Sequence, residues 1–61
     1  MEIKTLDIVR LENGETATVL ESLGGGEAYI LEARAKPNES EDKILTVRRE
    51  EIVSVVFHYK G

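Results

Sequence analysis

Few residues in this chain have the type and spacing that chemistry requires. There is no cysteine and a single histidine, His58. Disulfides, thiolate metal sites and a structural zinc set therefore lack their ligands. His58 stands between Phe57 and Tyr59. A general base needs a nucleophile and an orienting group within hydrogen-bond reach, and Ser22, Ser40 and Ser54 lie in no nucleophile motif. His58 reads instead as an outward-pointing strand histidine. Glu39, Glu41 and Asp42 carry hard oxygen ligands, but their spacing is not that of a calcium loop and no turn glycine lies among them. They read as a solvated acidic loop. The stretch "LGGGE" (23–27) lacks the spacing of a phosphate-binding loop, and no helix follows it. It reads as a flexible hairpin connection. The expectation is a protein without catalytic residues, cofactor, metal or evident small-molecule ligand.

Arg48 and Arg49 form the one basic concentration, with Lys43 and Arg34 as possible neighbours. Glu50 and Glu51 adjoin them and cancel most of their field. The whole chain has a net charge of −4, so it does not build the positive potential that drives nucleic-acid binding. A basic partner protein is compatible with that charge. Tyr29, Phe57 and Tyr59 are the only aromatics. With the first two assigned to the core, Tyr59 alone cannot line a peptide groove or form a stacking platform for RNA. The start, "MEIKTLDIV", has no secretory pattern. No apolar run approaches the ~20 residues of a membrane helix. A cytoplasmic location without membrane contact is expected.

The elements that would position these residues follow from apolar spacing. Sixty-one residues suit one domain, 1–61. "TLDIVRL" (5–11) reads as a strand. Asn13-Gly14 then signals a hairpin of type I′, whose two central residues need positive φ. "ETATVLESL" (15–23) and "EAYILEAR" (27–34) read as strands separated by the glycine run. "AKPNESED" (35–42) is a long solvated loop.

"KILTVRREEIVSVV" (43–56) decides the fold. As a helix, its stripe of Ile44, Ile52 and Val55 would also contain Arg48 and Glu51. Bases before acids would oppose the helix dipole. Ile and Val favour strands, and Val53, Val55, Phe57 and Tyr59 alternate as in a strand. The segment is therefore two strands, 43–47 and 52–59, joined by a tight 3₁₀ turn at "RREE". The expected fold is all-β, a small five-stranded SH3-like barrel with one 3₁₀ turn before the last strand.

Two groups with that barrel have a similar pattern. Asp7-Ile8-Val9-Arg10-Leu11, followed by Gly14, Ala17 and Val19, resembles the KOW-type module of transcription and ribosome factors over about the first third of the chain. That resemblance implies a nucleic-acid or ribosome-associated accessory domain. Ala17 stands where the family places a second glycine. The ending Val47-Arg48-Arg49-Glu50-Glu51-Ile52 resembles small stand-alone bacterial SH3-like proteins of unknown function. That second resemblance covers most of the chain. Neither carries a catalytic residue.

The expected core is Val9, Leu11, Ala17, Val19, Tyr29, Leu31, Leu45, Val47, Ile52, Val55 and Phe57, with Leu6 and Ile8 competing for the inner face of the first strand. If Val53, Val55 and Phe57 point inward, Val56 points out, as does Ile30. A chain this short is marginal alone, and a long apolar strand is a hazard at a sheet edge. The sequence thus predicts a non-enzymatic protein-interaction module that forms a homodimer or binds a partner protein, with an immunity- or antitoxin-like role as one concrete form. Ile30, Arg48, Arg49, Val56 and Tyr59 are its candidate contact residues.

Overall fold

The computed structural model describes residues 2–35 and 37–60. Its strands are β1 (Ile8–Leu11), β2 (Thr16–Leu23), β3 (Ala28–Ala33), β4 (Lys43–Arg48) and β5 (Ile52–Phe57), with a single 3₁₀ turn, Arg49–Glu51, between β4 and β5. All neighbouring strands are antiparallel, in the order β4-β3-β2-β1-β5. The fold is all-β, as expected, but the sheet is open, with β4 and β5 as its two edges.

The open sheet is strongly curled. Five flat strands would set their edges about 19 Å apart. A three-residue 3₁₀ turn spans less than about 10 Å, yet Arg49–Glu51 alone links β4 to β5. The turn is held from both sides. Its Arg49 N–H donates to the Glu27 carbonyl at 3.0 Å, and its Glu51 carbonyl accepts from the Glu12 N–H at 3.0 Å. Glu51 also accepts the Arg48 N–H on its carboxylate at 2.7 Å, closing the start of the turn.

The concave face holds the core. Val9 faces Ala17 and Val55, Leu31 faces Val19 and Leu45, Tyr29 faces Val47, and Leu11 faces Ile52 across the pairings. Val9, Leu11, Ala17, Val19, Tyr29, Leu31, Ala33, Val47 and Ile52 are buried, with Ile3, Leu45 and Val55 packed against them. Val9 and Leu11, not Leu6 and Ile8, form the inner face of β1.

Three expectations need correction. The hairpin after β1 is not type I′. Leu11 N–H bonds the Glu15 carbonyl, so three residues lie in the loop, and only Gly14 has positive φ. That is the longer hairpin loop that absorbs its extra residue at a glycine. The first strand begins at Ile8, because Lys4–Asp7 forms a turn. Phe57 and Val53 are not core: they are 54% and 58% exposed.

The register explains the exposure of Phe57 and Val53. Leu11 pairs with Ile52, Arg10 with Ser54, Val9 with Val55 and Ile8 with Phe57. Val53 and Val56 are skipped, so β5 carries two bulges against β1. Each bulge puts two residues opposite one and resets the alternation. Phe57 therefore lands beside Ile8 on the convex face.

This assignment predicts unequal costs for two large side chains. Leu31→Ala should lower the unfolding free energy by about 2–5 kcal/mol, through lost burial and a cavity. Phe57→Ala should cost less than about 1 kcal/mol. Urea unfolding measures both, and a reversed order would place Phe57 inside.

Candidate functional site

Asp7 is the only buried charged residue among those described, at 0% exposure. Its carboxylate accepts the Lys4 backbone N–H at 2.9 Å and the Tyr59 backbone N–H at 3.1 Å. His58 Nδ1 lies 3.0 Å from Asp7 Oδ2. An ionised carboxylate only accepts, so Nδ1 carries the proton of that bond. Asp7 thus joins the turn before β1 to the tail after β5.

The backbone around Asp7 is arranged for this contact. Asp7 N–H bonds the Lys4 carbonyl at 3.1 Å, which closes the turn. Leu6 sits at its third position with φ of 73°, where glycine or asparagine is the usual choice. A leucine there carries backbone strain. Leu6 N–H and the Asp7 carbonyl both bond Val19, at 2.7 and 2.8 Å.

Burial is the largest influence on the Asp7 carboxyl and acts to raise its pKa. The Lys4 and Tyr59 N–H groups and the His58 side chain together outweigh it. The carboxyl is therefore held below the usual aspartate range. An acid hydrogen-bonded to an imidazole is also the base-and-orienter half of a nucleophilic site. Among the described residues, no hydroxyl is hydrogen-bonded to His58.

A second feature surrounds the basic pair. The turn at Gly24–Glu27 lies against the 3₁₀ turn, leaving an open cleft of about 650 Å³ whose lining includes Gly25, Gly26, Glu27, Arg48, Arg49 and Glu50. Gly26 is required there. Its φ is +106°, and a Cβ would stand 3.2 Å from Tyr29 Oη and 3.5 Å from Arg49 Nη1. Glu27 and Glu50 line the cleft together with Arg48 and Arg49, so its formal charges balance and it has no strong positive field.

The third feature is the outer edge. Val56 and Tyr59 are 45% and 53% exposed, and Val53 and Phe57 are more exposed than either among nearby strand neighbours. The five candidate residues are not brought together. Arg48 and Arg49 are exposed at the 3₁₀ turn, while Val56 and Tyr59 belong to β5 and its tail. Ile30 is half-buried in β3, flanked by Glu21 and Thr46, with β2 and β1 between it and β5. Sequence reasoning missed Asp7, whose only sign was one acid inside an apolar run. His58 leaves the strand and turns to that acid rather than standing as a plain strand residue.

In the acidic loop, Glu39 pairs with Lys43 at 2.8 Å and Asp42 accepts the Ala35 N–H at 2.6 Å. No family model matches the chain, and no curated protein or solved structure matches it significantly.

The Asp7 geometry makes stability depend on acid. A carboxyl whose folded pKa lies below its unfolded value stabilises fully above the unfolded value, about 3.9. That contribution is lost as pH falls through the folded value. Asp7→Asn should melt lower than the native chain at pH 7, because its amide N–H₂ would face donors. The gap should close as the pH drops below about 4. Thermal melts of both proteins across pH check this; a gap independent of pH would contradict it.

Proposed function

We propose that this chain is a small SH3-like barrel that works as a non-enzymatic protein-interaction module, associating with itself or with a partner protein in the cytoplasm. The strand order and the 3₁₀ link between the two edges support the barrel reading. The observation that carries the interaction reading is the exposed apolar row on one edge strand. Val53, Val56 and Phe57 lie on β5, and Tyr59 follows directly.

Single exposed apolar side chains are ordinary on a protein surface. Four within seven consecutive residues of an edge are a contact surface. Ile8 of β1 lies directly beside Phe57. Arg48 and Arg49 lie at the far end of the 3₁₀ turn from β5 and are not part of that row. An acidic chain with such an edge suits an immunity- or antitoxin-like role on a basic protein. No helix among the described residues is long and apolar enough to cross a membrane.

Size exclusion coupled to light scattering tests the reading. At about 100 µM, well above a micromolar dissociation constant, the native chain should have a dimer mass. Val56→Glu should shift it to monomer with the β-type far-UV spectrum intact. A monomeric native chain would contradict self-association, and loss of the spectrum would show that Val56 is internal.

A further inference from the structure

The two edges of the sheet are protected differently. β4 begins with Lys43 and ends with Arg48, and charged side chains on an edge hinder the approach of another strand. β5, Ile52–Phe57, carries no charge and no proline. Its charges lie just outside it. Glu50 and Glu51 precede the strand, and Lys60 follows it.

That order makes the segment complementary to its own reverse. Two copies of β5 laid antiparallel, with Val55 at the centre, bring the 3₁₀ turn that carries Glu50 in each copy toward the tail that carries Lys60 in the other. The same register sets Val53 opposite Phe57 and Ser54 opposite Val56. Glu50, Val53, Val56, Phe57 and Lys60 are all exposed. Neither Glu50 nor Lys60 has an ion-pair partner among the described residues. Parallel pairing in register would instead set Glu50 against Glu50 and Lys60 against Lys60.

We propose that the β5 edge docks on a second copy of this chain, antiparallel about Val55, with a Glu50–Lys60 ion pair at each end. This rests on the interaction-module reading and names its partner. The symmetry is two-fold and closes on itself, which limits assembly to a dimer. The bulges at Val53 and Val56 interrupt the main-chain ladder. Contact of Val53 with Phe57 of the other copy would supplement the interrupted backbone pairing. Opposite charges at both ends fix the register, as they do in other paired strands.

Charge reversal tests this pairing directly. Glu50→Lys alone sets lysine against Lys60 at both ends, and Lys60→Glu alone sets glutamate against Glu50 at both ends. Each variant by itself should raise the dimer dissociation constant about tenfold or more. Mixing the two variants in equal amounts should restore native affinity. In the mixed dimer, one end pairs the two introduced charges and the other end pairs the two native ones.

Sedimentation equilibrium gives the constants, and both substitutions are at exposed sites outside the strands, so far-UV spectra should not change. A native dimer that is indifferent to both reversals, or variants that stay weak when mixed, would overturn this register. Disruption of that same dimer by Val56→Glu would leave the interaction-module reading standing. A native chain that remains monomeric would overturn both the register and self-association.

Discussion

A buried carboxylate holds this sheet at its two chain ends. Asp7 takes hydrogen bonds from Lys4 on one side and from His58 and Tyr59 on the other. A charged group out of water is costly unless its hydrogen-bonding capacity is used. Here both oxygens are occupied, and two of the three donors are main-chain N–H groups. The positions of the ends are therefore set by backbone geometry rather than by long side chains. β1 cannot begin before Ile8, because the preceding four residues form the turn around the carboxylate. β5 cannot run past Phe57 in the sheet, because the Tyr59 N–H is turned to Asp7.

That constraint shapes β5. The strand starts at Ile52, anchored in the core opposite Leu11, and its tail must reach Asp7 beside the start of β1. Between these points β1 offers four residues, Ile8–Leu11, and β5 has six, Ile52–Phe57. The two extra residues are the bulged valines. Their exposure, and the appearance of Phe57 on the convex face, follow from that mismatch. The apolar edge on which the functional reading depends is thus a consequence of how the ends are tied.

Much of the fold was legible because its inner strands obey simple periodicities. Ala17 and Val19, then Tyr29, Leu31 and Ala33, alternate cleanly and fall inside. The charged stretch Arg48–Glu51 could not continue either apolar stripe, and its last three residues, Arg49–Glu51, form the expected 3₁₀ turn while Arg48 ends β4. The outermost strand was misread for a physical reason. Alternation predicts the facing of a residue only while the pairing register is constant, and nothing in "IVSVVF" announces a bulge. The hairpin at Asn13-Gly14 was located correctly and mistyped, since its loop length depends on which residue pairs with Leu11. Asp7 was invisible as a site because two of its three partners, His58 and Tyr59, are 51 and 52 residues away. Leu6 has a side chain that gives no sign of positive φ. Of the candidate contact residues, Val56 lies on the proposed edge and Tyr59 just beyond it. Ile30 shared only a periodicity with them.

An ionised Asp7 ties both ends together, and carboxyl chemical shifts followed by pH titration measure this most directly. The Asp7 carboxyl should titrate below the ordinary aspartate value of about 3.9. The amide resonances of Lys4 and Tyr59 should move with the same midpoint, since both N–H groups donate to it. A carboxyl that titrates above the ordinary value, or a Tyr59 amide that does not respond to it, would contradict the account.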